Sequence, residues 1–121
     1  MTTYFSPASY EEVSAYMAGG RNPNDRPYPH GKHTRVHTCP KNGIAVRYHA
    51  TDVVTYYPDR VVLNSGGWRT STTRARISEA LHGIPDTALV QRDWEWYLVV
   101  DGHEIPFTDG MAITWDGTLI P

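Results

Sequence analysis

Ile44-Ala-Val-Arg-Tyr-His-Ala50, Val53-Val-Thr-Tyr-Tyr57 and Arg60-Val-Val-Leu63 follow one another with only Thr51-Asp52 and Pro58-Asp59 between them. The first run alternates apolar with polar residues. The second is β-branched and aromatic, and the third resumes after a turn dipeptide. The stretch therefore predicts three strands of a meander. Four further runs downstream read the same way: Ala88–Val90, Trp94–Val100, Glu104–Phe107 and Met111–Trp115, with Asp101-Gly102 and Asp116-Gly117 as turns.

Two helices flank these runs. Ser9-Tyr-Glu-Glu12 is a capping box, Val13, Tyr16 and Met17 fall at i, i+3 and i+4, and Gly19-Gly20 supplies a left-handed stop. A second helix is expected over 72–83, capped by Ser71-Thr-Thr73. Ile77, Ala80, Leu81 and Ile84 form its buried stripe, and Gly83 and Pro85 end it. Between the first helix and the meander, residues 21–43 hold Pro23, Pro27 and Pro29 among Asn, Asp and Gly, and read as an irregular connector with extended pieces. The expectation is an α+β fold: an antiparallel sheet of about six to seven short strands, spanning 44–115, with two short helices packed on it. An N-terminal helical segment occupies 1–20, and the whole chain of 121 residues forms a single domain.

The composition narrows the function classes. With 40% hydrophobic and 20% charged residues the chain is too apolar for disorder. It contains no apolar run long enough to span a bilayer, and its N-terminus lacks the regions of a signal peptide. A single cysteine, Cys39, allows no intrachain disulfide and fits a reducing cytoplasm. The net charge of −2 hides a division: residues 21–78 carry about +7 and residues from Glu79 onward about −7. Such asymmetry fits a basic face for an anion with an acidic face turned away, or a simple interleaving of the two on folding. Nine of the eleven basic residues are arginine, whose fork suits phosphate. An arginine-rich coding bias gives the same count.

One segment carries the strongest chemical signal. Asn64-Ser-Gly-Gly-Trp-Arg-Thr-Ser-Thr-Thr-Arg-Ala-Arg76 runs from a strand end through two glycines into a helix start. Gly66 and Gly67 would bring backbone amides to a ligand, Ser71, Thr72 and Thr73 would add hydroxyls, and Arg69, Arg74 and Arg76 would add charge. Trp68 would serve as stacking partner or core anchor. Three arginines at the positive end of a helix cost roughly 0.3–1 kcal/mol each when exposed, a cost that a bound anion removes. A purely architectural reading has the hydroxyls capping, the glycines turning, Trp68 in the core and the arginines paired with the acidic half. The segment is not a phosphate-binding loop of the G-x-x-x-x-G-K-[ST] type, because no lysine follows the glycines.

Other residues carry weaker signals. His30, His33, His37 and Cys39 offer four zinc-ligand types within ten residues, and strand alternation would put His33, His37 and Cys39 on one face, but the spacing matches no standard site. No metal and no cofactor is expected. His49-Ala-Thr51 is one copy of the H-x-T pattern that two-histidine phosphoesterases use twice, which leaves His49 as a lone candidate for proton transfer or a structural strand histidine. Trp94 and Trp96 are expected to share a strand face, as core or as a platform for bases.

Ile44–Thr55 together with Leu63–Ile77 resembles a family of small proteins common in actinobacterial phages and their prophages. A looser likeness extends from about Arg26 to Gly110. The resemblance implies an origin rather than an activity, with expression in the cytoplasm of a bacterial host. His49, Asn64, Gly66, Gly67, Trp68, Arg69, Thr70, Thr72, Thr73, Arg74 and Arg76 fall on its pattern, and the histidines of 30–37 do not.

These readings converge on a non-enzymatic phage accessory protein that binds a phosphate-bearing ligand, either nucleic acid or a nucleotide signal of host defence. A module that docks on or inhibits a host protein, and a small phosphoesterase using His49, are the alternatives. A membrane is not an expected partner.

Overall fold

A computed structural model of the protein describes residues 5–29 and 31–121. Helix α1 (Tyr10–Ala18) is followed by strands β1 (Asp25–Pro27), β2 (Thr34–Cys39), β3 (Gly43–Tyr48), β4 (Thr51–Tyr56) and β5 (Val61–Leu63). Helix α2 (Ser71–Leu81) leads to β6 (Thr87–Arg92), β7 (Glu95–Val100) and β8 (His103–Pro106), and the chain ends with β9 (Met111–Ile113) and β10 (Leu119–Ile120). The fold is α+β and mostly β. One antiparallel sheet has the order β1-β2-β3-β4-β5-β9-β10, and β6, β7 and β8 form a second, three-stranded sheet.

Strand β9 pairs with β5, Leu63 facing Met111 and Val61 facing Ile113. Everything between these strands, α2 and the small sheet included, is therefore an excursion from one seam of the large sheet. This topology differs from two successive meanders, and the returning strand pairs with a residue nearly fifty positions earlier, a relationship that no local pattern encodes.

Ser9 caps α1 by accepting the Glu12 amide at 3.2 Å. The expected left-handed stop is absent, since Gly19 stays right-handed at φ −80°. The Gly19 and Gly20 amides close the last turn, and the Arg26 guanidinium also donates to the Tyr16 carbonyl and lies over the Tyr16 ring. The segment 21–43 is more regular than a connector, because it supplies β1 and β2. Pro27 is tolerated there since β1 is an edge strand that, among the described residues, has no partner on its outer side.

The core is one cluster drawn from both sheets and both helices. It includes Val13 of α1, Val36, Val54, Tyr56 and Leu63 of the large sheet, Ile77 and Leu81 of α2, and Leu98 of β7. The alternation expected for β3 does not hold at its start: Ile44, Ala45 and Val46 are buried in succession, so both faces of the strand are covered there. On β7 the alternation holds, with Trp96, Leu98 and Val100 inward. Trp94 does not share their face. It occupies the two-residue turn before β7 and is 89% exposed.

Candidate functional site

The β3–β4 hairpin turns through His49 and Ala50, and Thr51 pairs back with Tyr48. His49 adopts φ +55°, its amide donates to the His33 carbonyl at 2.9 Å, and its ring stacks on that of His33 with centroids 4.8 Å apart. The Tyr48 ring is tilted against the same imidazole, with centroids 4.4 Å apart. Tyr48 and His49, but not His33, line a cleft of about 370 Å³.

The opposite wall is the loop from β5 into α2. Ser65 is buried, and its amide and hydroxyl both donate to Asp109 Oδ1, at 2.8 and 2.7 Å. Gly66 must be glycine: at φ +65° it brings its backbone so close to Thr51 that a Cβ would lie 2.6 Å from Thr51 Oγ1. The loop amides expected to face a ligand are used internally. Gly66 donates to Asn64 Oδ1 at 2.7 Å and Gly67 to Ser65 Oγ at 3.2 Å. Trp68 is not a core anchor. It stands 71% exposed at the cleft, and Ala50 and Val53 make the remaining floor largely apolar.

Helix α2 begins one residue earlier than expected. Thr70, not Ser71, is the N-cap, and its hydroxyl accepts the Thr73 amide at 3.2 Å. No acid stands in the first turn of α2, and among the described residues the amides of Ser71 and Thr72 have no protein acceptor. Thr70, Thr72 and Thr73 line the cleft, whereas Ser71 is exposed outside it.

The three arginines of the segment diverge. Arg69 donates to the Phe107 carbonyl at 3.1 Å, Arg74 to Gln91 Oε1 at 2.8 Å, and neither guanidinium lines the cleft. Arg76 turns inward, paired with Glu79 at 3.2 Å and bonded to Thr34 at 3.3 Å, with its guanidinium over Tyr28. Tyr28 donates to the same carboxylate, and burial together with Glu79 pushes its phenol above the ordinary value. Arg76 therefore belongs to a buried polar network and not to an open anion site. The ion pairs of the basic half are mostly local, as in Arg35–Asp25, Arg47–Asp52 and Arg60–Asp59. The two halves of the chain do not simply neutralise each other.

Among the described residues no three His, Cys, Asp or Glu side chains gather as a metal site. His37 and Cys39 do share a face of β2, but His33 precedes the strand at φ +56°, which breaks the alternation and sends its ring to His49. His37 Nε2 is already bonded to Asp52 at 2.8 Å. Burial, and then the Asp52 charge, raise the Cys39 thiol, which is the opposite of an activated nucleophile. His30 lies outside the described residues.

Tyr48, Thr51, Ser65, Thr70 and the anchoring Asp109 escaped the sequence reading as site residues. Thr51 closes the His49-Ala-Thr51 triplet, and Asp109-Gly110 closes the looser likeness, so the signals were present without a contact to interpret them. No helix among the described residues is long and apolar enough to cross a membrane. No curated protein and no solved structure matches the chain. A protein-family model, described as Kyanoviridae Gp96 protein, matches residues 15–114 and supports a phage protein family, without bearing on the actinobacterial source or on the motif of the resemblance. The chain belongs to this Kyanoviridae Gp96 family of phage proteins.

Proposed function

We propose that the protein is a non-enzymatic phage accessory protein, acting in the cytoplasm of the bacterial host, that binds a nucleotide-like ligand in the cleft between the His49 turn and the start of α2. The observation that carries this reading is the composition of the two walls. One offers planar rings, Tyr48 and His49, facing an exposed Trp68. The other offers the Thr70, Thr72 and Ser65 side chains beside an acid-free helix start with free amides. A base suits the apolar, aromatic part, and a phosphate suits the helix start. The charge at this end comes from the helix rather than from a converging arginine cluster, which points to one phosphate and not several. Titrating mononucleotides while following tryptophan emission tests the reading. Saturable quenching that disappears in Trp68→Ala supports it, and no response from any mononucleotide removes it.

A hydrolytic reading of the same cleft draws on the stacked pair of His33 and His49. It requires turnover of a model phosphodiester that His49→Ala abolishes.

A further inference from the structure

Among the described residues, Trp68 and Trp94 are the exposed large apolar side chains, 71% and 89% exposed. Trp94 is also held in a conformation unfavourable to it. Asp93 at φ +52° and Trp94 at φ +68° form the turn between β6 and β7, where glycine or asparagine would be at ease. An indole fixed there contributes almost no packing to the fold.

Two arginines link the segments that carry these indoles: Arg69 follows Trp68, and Arg74 reaches Gln91 of β6. Arg69 and Arg74 have no carboxylate in ion-pair contact among the described residues, whereas Arg35, Arg47, Arg60, Arg76 and Arg92 each do. The Arg69 guanidinium lies 5.6 Å from the Trp96 ring centre. Gln91 Oε1 accepts from both Arg74, at 2.8 Å, and Trp96 Nε1, at 3.2 Å. Gln91 and Trp96 are partners in the β6–β7 register, and Trp94 stands two residues before Trp96, in the turn that joins the strands. Contacts of Arg69 and Arg74 thus connect the segment beside the cleft to the β6–β7 hairpin.

We propose that this connection is a track for a single-stranded nucleic acid. It rests on the reading of the cleft: one base enters against Trp68, the phosphates that follow cross Arg69 and Arg74, and a neighbouring base stacks on Trp94. Aromatic platforms interleaved with cations are how unpaired strands are held with little regard to sequence, and a duplex does not offer its base faces to them. Asp93 and Glu95 border the far end, Glu104 neutralises Arg92, and Arg69 and Arg74 have no carboxylate in ion-pair contact among the described residues, so at most about two phosphates meet such a cation. The salt dependence should accordingly be shallow, with a log–log slope of about −1.4 at ~0.7 per phosphate.

The test uses the full chain, an oligodeoxythymidylate of about ten nucleotides, within the span one small fold covers, and thymidine monophosphate alongside it. Expected is oligonucleotide binding at least about tenfold tighter than the monophosphate. Trp94→Ala should lose about tenfold or more of the oligonucleotide affinity, the range of one stacked base, with monophosphate affinity unchanged. Arg69→Ala with Arg74→Ala should bring the salt slope toward zero. Trp94→Gly, which relieves the strained turn, must reproduce the Trp94→Ala result with an unchanged circular-dichroism spectrum. Monophosphate binding without any gain for the oligonucleotide, or an oligonucleotide indifferent to Trp94, overturns the track, leaves the cleft reading intact and turns attention to a protein partner for the hairpin tip. Binding of neither probe overturns both.

Discussion

Asp109 accepts the amide and the hydroxyl of Ser65 with a single oxygen, at 2.8 and 2.7 Å, so a carboxylate after β8 holds the loop that forms one wall of the cleft. Burial works to raise this carboxyl, but the Ser65 bonds, the Arg69 charge and the Gly67 amide outweigh it and leave it below the ordinary value. A folded-state value below the unfolded one means that the contribution to stability is present above the ordinary carboxylate range, near 3.9, and is lost as pH falls through the folded value. Asp109→Asn should therefore cost about 1–2 kcal/mol at neutral pH, and the gap from the unmodified protein should close as denaturation is repeated in acid. A gap independent of pH contradicts the assignment.

Gly66 and Gly67 both have positive φ, yet only Gly66 is crowded, by Thr51, while a Cβ on Gly67 meets nothing within 4 Å. Gly67→Ala should cost about 1 kcal/mol from backbone strain alone, and Gly66→Ala distinctly more. Equal losses in urea unfolding would show that the close approach to Thr51 is not real.

Thr70 caps α2 and Ser71 does not. Thr70→Ala is expected to lower stability by about 1 kcal/mol and Ser71→Ala to leave it within about 0.5 kcal/mol, measured by the same unfolding titration. The reverse order would restore the helix start expected from the sequence.

The arginines should separate sharply. Arg76→Met leaves Glu79 buried without its guanidinium, at a cost of about 3–5 kcal/mol. Arg69→Ala and Arg74→Ala, on more exposed side chains without carboxylate partners, should each stay within about 1 kcal/mol. Thermal melts of the three variants decide this.

The Tyr56 hydroxyl is buried with no hydrogen-bond partner among the described residues, and burial followed by the Glu79 charge raises its phenol. Removing an unsatisfied hydroxyl relieves its desolvation, so Tyr56→Phe should be neutral or stabilising by about 1 kcal/mol. A clear loss of stability would reveal a partner for that oxygen.

The strands of 44–63 and the two helices were legible because alternation, β-branching and capping residues are local signals. The seam where β9 returns to β5 was not, since Leu63 and Met111 carry no mark of each other. The segment 64–76 was legible as a glycine turn into a helix, and the structure brings its Trp68, Thr72 and Thr73 to one cleft with His49, which was read separately. The fate of its arginines was hidden. Arg69, Arg74 and Arg76 look equivalent in sequence, but their directions are set by Phe107, Gln91 and Glu79, which arrive from other elements. Trp94 and Trp96 were separated by a hairpin turn without glycine, for which the composition gives no signal.

The cleft itself is the claim on which the functional reading stands, and amide chemical-shift mapping during titration with a nucleoside monophosphate addresses it residue by residue. The largest shifts should fall on Tyr48, His49, Thr51, Trp68 and Thr72, with the free amides of Ser71 and Thr72 moving downfield as a phosphate arrives. Shifts that are absent, or that gather away from the His49 turn and the start of α2, would contradict it.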